Sequence, residues 1–227
     1  FCIMRTSCIN EMEEIMEIHV NSISEAWEMS IKELLRDNVP YVYTQRGIRA
    51  KEIIGMQLLI ENPLSEPIIS EHYMFGEMFV EKYCKSIIES TCGEQSIHSR
   101  IIKTKSISKK NNNQINRVVN LLRKEPNSRR AVISLWDPEY DMNSEHPPCA
   151  CIIQFMIRNA KLDVSAYFRS NDSWMAVLPD MIAITKLSLL VSEKLKVPVG
   201  QYIHFCASYH LYEPDVVPAL ICFGGEK

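Results

Sequence analysis

The chain has 227 residues, of which 46% are hydrophobic, and this length and composition allow a sizeable core in a single domain covering residues 1–227. The formal net charge of −3 gives no indication of a nucleic-acid partner or of a polybasic membrane surface. No apolar run is long enough to span a bilayer and no signal peptide is recognisable, so we expect a cytoplasmic protein without a membrane anchor.

The eight cysteines indicate reduced thiols rather than a disulfide framework or a metal site. No two of them form a Cys-x-x-Cys pair, and together with the six histidines they show no zinc-binding spacing. Since nothing indicates secretion, disulfides are not expected. Most of the cysteines are therefore predicted to be small buried hydrophobic side chains, and no metal is expected.

The first part of the chain predicts a long helix and then a strand. Apolar residues recur at helical spacing over residues 11–36, and Asn38 and Pro40 end that pattern. Residues 52–61 form an apolar run typical of a strand. The loop before this strand carries Arg46 and Arg49, and a planar guanidinium can bind two phosphate oxygens at once. Taken alone, Arg46 is more typical of a surface charge, and Arg49 is close enough to be the ligand instead.

Residues 73–81 are apolar with embedded acids and predict a helix that contains Glu77. If that carboxylate were buried among Phe75, Met78 and Phe79, its pKa would be raised, which suits proton transfer. The alternative, which the pattern alone favours, is that Glu77 faces water at the edge of the helix. Farther along, the segment 103–117 is rich in Lys, Ser and Asn and predicts a mobile polar loop.

The second half of the chain predicts alternating strands and one long helix. Strands are expected at 131–136, 151–157 and 161–168, a helix at 180–196 and a further strand from Gly200 to Tyr212, with only a short tail after Asp215. The predicted fold class is therefore α/β. Cys149 then lies just before one strand, and the segment 169–172 just after its neighbour.

Four short motifs follow one another in this half: Glu-Pro-Asn-Ser-Arg-Arg at 125–130, His-Pro-Pro-Cys at 146–149, Arg-Ser-Asn-Asp at 169–172 and His-Leu-Tyr at 210–212. Two prolines before Cys149 stiffen its backbone and hold the thiol in one direction. Cys149 and His146 could also form a protease-like pair, although adjacency in sequence is poor support for that geometry. The order and spacing of the motifs resemble the thymidylate synthase superfamily, over roughly residues 40 to 215.

The resemblance implies a large bent mixed sheet backed by long helices, in a homodimer, and an enzyme that binds a pyrimidine nucleoside monophosphate and 5,10-methylenetetrahydrofolate as co-substrate. Cys149 would add to C6 of the pyrimidine, which makes C5 nucleophilic towards the one-carbon unit, with Glu77 and Asp172 as further catalytic residues. Hydride from the folate then gives a methyl group, whereas water gives hydroxymethyl. Arg169 near the sulfur is expected to favour the thiolate.

The resemblance also assigns the substrate ligands. Arg46, Arg169 and Ser170 would bind the phosphate together with Arg129 and Arg130, which in this family reach across a two-fold interface into the neighbouring site. His210 and Tyr212 match the pair that holds the sugar hydroxyl, and Asn171 is included among the substrate-binding residues. Alone, the paired arginines would be taken as solvated charges.

Asp180 falls where thymidylate synthases place an asparagine that recognises the uracil edge. An amide offers a donor to O4 and an acceptor to N3–H, whereas cytosine presents an amino donor and an N3 acceptor. A carboxyl group accepts from the amino group, and its own proton, or one on N3, completes the second bond. The resemblance is therefore closest to the cytidylate (CMP or dCMP) 5-hydroxymethylases, seen in phage nucleotide metabolism and in nucleoside-antibiotic pathways.

Three alternatives remain open at this stage. A shifted alignment puts Met181 at the base-recognising position, and Asp180 could simply cap the following helix. The chain could be a thymidylate-synthase-like methylase of a uridylate. It could also be a catalytically silent nucleotide-binding homologue, because Ala150 stands where the family generally has histidine and His98 where it usually has tyrosine.

Overall fold

A computed structural model describes residues 16–89, 97–102 and 113–224 and contains one mixed sheet. Its strands are β1 (Glu17–Val20), β2 (Tyr41–Tyr43), β3 (Arg49–Ile60), β4 (Val132–Ser134), β5 (Ala150–Arg158), β6 (Lys161–Asp172) and β7 (Val199–Tyr212). The sheet order is β1-β3-β7-β6-β5-β4, with β2 beside β3. Strands β6 and β7 run parallel, whereas β3–β7 and β5–β6 are antiparallel.

Helices cover one face of this sheet and leave the other face open. They are α1 (Ile23–Leu34), α2 (Gly76–Ile88), α3 (Ile97–Ile102), α4 (Gln114–Lys124), α5 (Pro138–Asp141), α6 (Val177–Leu195) and α7 (Glu213–Phe223). Helix α6 connects β6 to β7 and packs on both strands and on α1, α2 and α4. Side chains of β6 alternate accordingly, with Val164, Ala166 and Phe168 buried under the helices and Tyr167 exposed on the open face. The predicted α/β fold class is confirmed.

The predicted helix over residues 11–36 is wrong at its start. Residues 11–15 lie outside the described residues, and Glu17–Val20 form β1, which pairs in parallel with β3. Ser22 begins the helix, because its hydroxyl accepts from the Glu25 backbone N–H while the Glu25 carboxylate accepts from the Ser22 N–H. Ile18 and Val20 are spaced two apart, which fits a strand as well as an extension of the helical pattern.

Two further predictions need correction. The expected short tail after Asp215 is instead part of α7, whose Phe223 packs its ring 5.7 Å from that of Trp27. The predicted polar loop extends too far, because Gln114–Lys124 form α4, which begins where the Asn113 side chain accepts from the Asn116 N–H. Residues 103–112 of that loop lie outside the described residues. Among the helices in the described ranges, none is both long and apolar enough to cross a membrane.

Candidate active site

Cys149, the segment 169–172 and the segment 210–212 meet at one edge of the sheet, where β6 and β7 end and β5 begins. Because β6 and β7 are parallel neighbours in register, Ser170 lies beside Ser208 and Asp172 beside His210. The Arg169 backbone N–H donates to the Cys149 carbonyl at 2.9 Å, which ties the cysteine to the end of β6. Three of the four sequence motifs, those that contain Cys149, Arg169 and His210, are therefore brought together.

The loop before Cys149 is held by the Arg169 guanidinium. Its Nε donates to the Pro148 carbonyl at 2.9 Å and its Nη2 to the Pro147 carbonyl at 2.8 Å. The half-buried Cys149 thiol lies 3.7 Å from the Ser170 hydroxyl. Two stiff proline residues and a bidentate clamp thus fix the direction of the sulfur.

Burial raises the pKa of the Cys149 thiol above its ordinary value. The hydrogen bond to Ser170 and the charge of Arg169 lower that pKa, and the nearby carboxyls of Asp180 and Asp172 raise it. Arg169 does favour the thiolate, as expected, but desolvation outweighs it. Cys149 is therefore expected to carry its proton in the free protein.

His146 does not pair with the thiol. Its Nδ1 lies 3.1 Å from Nη2 of Arg46, which donates to it from the turn between β2 and β3. The other arginine of that turn, Arg49, is 2.7 Å from the Glu213 carboxylate. The geometry thus disfavours a protease-like Cys–His pair and places Arg46, rather than Arg49, at the site.

The paired arginines are not brought to Cys149 within this chain. Arg130 pairs with Glu125, and both lie beside α4. The next strand, β4, matches Val132 with Gln154, which is five positions along β5 from Cys149, or roughly 16 Å at a strand's rise. Arg129 and Arg130 therefore lie toward the opposite end of the sheet from the thiol.

The carboxyl group of Asp180 is buried and lines the site. Asp180 lies in the first turn of α6 with 5% of its surface exposed, and its Oδ1 accepts a hydrogen bond of 2.7 Å from the Tyr83 hydroxyl. Burial raises its pKa to about 7, against hydrogen bonds from Tyr83 and Asn171 that lower it, while the charge of Asp172 adds to the rise. At neutral pH the group therefore exists in both protonation states.

Two of the alternatives for this position find no support. The N-cap of α6 is Ala176, with no side-chain cap hydrogen bond, so Asp180 does not cap the helix. Met181 is fully buried in the hydrophobic core and offers no polar group to a base. The residue that can recognise a polar edge is Asp180.

Asp172 is anchored differently. Its Oδ1 accepts from the backbone N–H groups of Trp174 at 3.1 Å and Met175 at 3.3 Å. Burial raises its pKa, whereas these bonds and the nearby His210 lower it.

The His210 and Tyr212 rings pack edge to face with centroids 4.9 Å apart. His210 Nδ1 contacts the Ser208 carbonyl at 3.2 Å, which leaves Nε2 available for a hydroxyl group.

Helix α2 contributes a residue that the sequence did not indicate. Tyr83 reaches Asp180, whereas Glu77, two turns earlier, is exposed and lines a separate cavity with Ile68 and Lys186. The buried setting on which the proton-transfer argument for Glu77 depended is not found. His98 lies partly buried in α3. A tyrosine amid apolar residues of an amphipathic helix looks like core packing, so the sequence carried no signal for Tyr83.

In the described part of the chain, no group of three or more His, Cys, Asp or Glu side chains is placed to hold a metal ion. The candidate site thus combines a half-buried thiol on a fixed loop, the guanidinium of Arg169 and the buried carboxyl of Asp180, on an edge of the mixed sheet. These features mark the sheet edge where β5 begins and where β6 and β7 end as the candidate active site.

Comparisons with known proteins then specify the family. The sequence model of thymidylate synthase matches residues 74–220. A protein of Methanocaldococcus jannaschii described as a "putative thymidylate synthase" is 32% identical over 198 residues, covering 84% of this chain and 88% of that protein. Proteins of Methanosarcina barkeri and Methanosarcina mazei with the same description are 27% and 28% identical, each over 94% of its length. The chain belongs to the thymidylate synthase family.

Proposed function

We propose that this protein transfers a one-carbon unit from 5,10-methylenetetrahydrofolate to C5 of CMP or dCMP, and that water completes the product as a 5-hydroxymethyl group. Membership of the family supports one-carbon transfer to a pyrimidine nucleotide. The single observation that carries the choice of cytosine is the buried Asp180 carboxyl, with its pKa of about 7, inside the site.

The protonation state of Asp180 is what matches it to cytosine. A neutral carboxyl donates its proton to N3 and accepts from the amino group with its other oxygen. An ionised carboxylate still accepts from the amino group but faces the N3 lone pair with no proton between them. Leaving a buried polar edge unmatched costs about 1–3 kcal/mol, so the protonated form determines the affinity.

Cys149 would be the nucleophile. Its sulfur bonds to C6 of the base, which makes C5 nucleophilic, and the folate supplies the one-carbon unit that C5 receives. Loss of the C5 proton would expel tetrahydrofolate and leave an exocyclic methylene on the ring. Water would then add to the methylene carbon as the sulfur leaves C6, which gives the hydroxymethyl group and frees the cysteine. Because burial raises the thiol pKa, the proton must leave as the sulfur attacks, and the fixed loop keeps the sulfur aimed during that step.

The described residues offer a surface that suits the folate. Phe75, Met78 and Met175 are large apolar side chains that remain exposed, 82% exposed in the case of Met78. The Tyr73 hydroxyl donates to the Met175 carbonyl at 2.6 Å and so joins the start of α2 to the turn before α6. These side chains would pack against the aromatic rings of the folate, next to the part of the site that contains Asp180. Glu77 lies in the same first turn of α2 and keeps its proposed catalytic role only on the family resemblance.

The phosphate would be bound by Arg46, Arg169 and Ser170 from this chain. Arg169 Nη1 lies 3.3 Å from the Ser170 hydroxyl, so one guanidinium edge and one hydroxyl are presented together. Arg46 is exposed and contacts His146 at the rim. His210 and Tyr212 would hold the sugar hydroxyl, and Asn171 would bind substrate through its neighbour Asp180.

The open face of the sheet suits a second copy of the chain. It carries large exposed apolar side chains on adjacent strands, at Ile54, Val132, Ile152, Tyr167 and Phe205. A face of this kind is unusual for a monomer. Arg169 lines the same cavity, of about 450 Å³, as Ile152 and Tyr167, so a copy on this face would lie next to the phosphate ligands. A homodimer could then supply Arg129 and Arg130, which their own chain keeps away from its thiol.

A second candidate is a methylase of a uridylate. The relatives carry a name that specifies thymidylate synthesis, and a neutral carboxyl can also present its donor and acceptor in the order that uracil requires. In that case hydride from the folate, rather than water, would complete the product. A catalytically silent nucleotide binder remains the outcome if neither product forms.

The deciding experiment incubates the protein with methylenetetrahydrofolate and each of CMP, dCMP, UMP and dUMP, followed by mass analysis of the nucleotides. A hydroxymethyl product from CMP or dCMP is the expected result, and the better substrate fixes the sugar. A methyl product from a uridylate would overturn the choice of base. Covalent trapping of 5-fluoropyrimidine nucleotides, with Cys149→Ser as the control, separates an enzyme from a silent binder.

A further inference from the structure

The contact between Tyr83 and Asp180 joins two helices at the point where the base would be recognised. Tyr83 lies in the middle of α2, and its hydroxyl donates to Oδ1 of Asp180, at the start of α6, over 2.7 Å. The neighbouring Cys84 thiol contacts the Pro179 carbonyl at 3.8 Å, so α2 is fitted against this turn at two consecutive residues. The phenol is thus held against one oxygen of the carboxyl and not the other.

In a neutral carboxylic acid the two oxygens are not equivalent. The carbonyl oxygen is the acceptor and the hydroxyl oxygen carries the proton and donates. An oxygen that already accepts a short hydrogen bond is favoured as the carbonyl oxygen. We propose that Tyr83 is a positioning residue that places the proton of neutral Asp180 on Oδ2, and thereby sets which order of donor and acceptor the base edge meets. This inference rests on the proposed function.

Among the groups around Asp180, Tyr83 is the one that mainly determines which carboxyl oxygen carries the proton. The titratable groups that face Asp180 are Tyr73, Tyr83 and Cys84 on the α2 side, Cys149 before β5, Asp172 on β6, and Tyr202 and Cys206 on β7. Of these, Tyr83 bonds to the carboxyl directly, and Asp172 raises the pKa of the carboxyl through its charge. Burial lowers the pKa of the nearby His204 to about 3, so no cation forms there at neutral pH.

The amide of Asn171 can hydrogen bond to the Asp180 carboxyl in either of its protonation states. Its amide hydrogen bonds to Asp180 and lies 3.5 Å from the His204 ring. Within the described residues its Oδ1 is buried and has no hydrogen-bond partner. Rotating the Asn171 amide by 180° would exchange the NH₂ donor that faces Asp180 for the Oδ1 acceptor. Oδ1 could then accept a hydrogen bond from the protonated Oδ2 of Asp180 while no base is bound.

The test is Tyr83→Phe, with Tyr73→Phe as the matched control. Tyr73 is also a buried phenol beside α2, but its hydroxyl donates to the Met175 carbonyl and not to Asp180. The protein is labelled with ¹³C at the aspartate carboxyls, and Asp180→Asn identifies the resonance of Asp180. Loss of a donor to the ionised form should raise the pKa of Asp180 by about one unit in Tyr83→Phe and leave it in place in Tyr73→Phe.

The second readout is base preference at one fixed pH. The ratio of kcat/KM for the cytidylate over that for the uridylate should fall about tenfold in Tyr83→Phe and stay constant in Tyr73→Phe. An unchanged Asp180 titration, or an unchanged ratio with equal losses on both bases, would overturn the proposal. If the wild-type protein converts only uridylates, the proposed cytidylate function fails, while the titration and the ratio of nucleotide dissociation constants still decide the role of Tyr83.

Discussion

Two carboxyl groups eight residues apart, the partly buried Asp172 at the end of β6 and the buried Asp180 in the first turn of α6, face the same site in different ways. Asp172 accepts two backbone N–H groups, and Asp180 accepts from the side chains of Tyr83 and Asn171. Backbone donors cannot move without the turn, so they anchor Asp172 in place. Burial raises the pKa of Asp180 to about 7 although its side-chain donors lower that pKa, so Asp180 can hold a proton near neutral pH. Different surroundings therefore suit one residue type to two roles.

The largest effect is expected from a substitution at Cys149, which leaves Asp172 and Asp180 unchanged. Cys149→Ser should lower turnover by at least about a thousandfold, because a hydroxyl is a far weaker nucleophile than a thiol, while nucleotide binding is retained. Product formation and calorimetric binding measure the two properties. Cys222→Ser, in α7, is the matched control and should keep turnover. If Cys149→Ser stayed active, the covalent role of this thiol would be wrong.

The comparison is tested directly by making the same change at each carboxyl. Asp180→Asn should shift the ratio of kcat/KM for cytidylate over uridylate by about a hundredfold toward uridylate, since an amide offers a donor to O4 and an acceptor to N3–H. Asp172→Asn should leave that ratio unchanged, whatever it does to the absolute rate. Equal shifts in both variants would show that the two groups are not specialised.

The pH dependence of binding isolates the protonation of Asp180. In Cys149→Ser, which has no thiol to titrate at this position, the dissociation constant of the cytidylate should rise about tenfold per pH unit above pH 7. The reason is that Asp180, whose pKa is about 7, loses the proton that N3 needs. Calorimetry from pH 6 to 9 measures this slope. The double variant with Asp180→Asn should bind with no such slope, and a flat profile in Cys149→Ser would contradict the argument.

The smallest expected effect concerns the anchoring of Asp172. Asp172→Ala removes the acceptor of two backbone N–H groups and should lower the free energy of unfolding by about 1–3 kcal/mol. Asp172→Asn keeps an oxygen acceptor and should cost less. Denaturant unfolding at one pH compares them. If the two variants lost equal stability, the backbone bonds would not be what holds this carboxyl.

The parts of the molecule that the sequence predicts well are those with local patterns. The strands predicted at 151–157 and 161–168 correspond to β5 and β6, although β6 continues to Asp172, so that the segment 169–172 lies within the strand and not after it. The ordered motifs predicted that Cys149 and Asp172 lie close together. The start of α1 was missed because Ile18 and Val20 satisfy two periodicities, and only pairing with β3 decides between them.

What could not be predicted depends on contacts between distant elements. Tyr83 reaches Asp180 only because α2 packs on α6, across 97 residues of sequence, and nothing local distinguishes it from core packing. For Glu77, the pattern alone favoured the exposed edge of a helix and only the family resemblance argued for a catalytic carboxyl, and the side chain is indeed exposed. For Arg129 and Arg130, the proposed contribution to the site lies in a second copy of the chain, so a single sequence contains no local signal for it.

The guanidinium of Arg169 performs two tasks with one planar group. Two of its edges are already occupied by the carbonyls of the prolines before Cys149, and a further nitrogen is turned toward the Ser170 hydroxyl. A phosphate that binds there would press on the same arginine that steadies the sulfur. If the proposed function is correct, Arg169 links the substrate's phosphate to the cysteine, and a nucleoside without its phosphate would leave the sulfur less firmly positioned as well as bind more weakly.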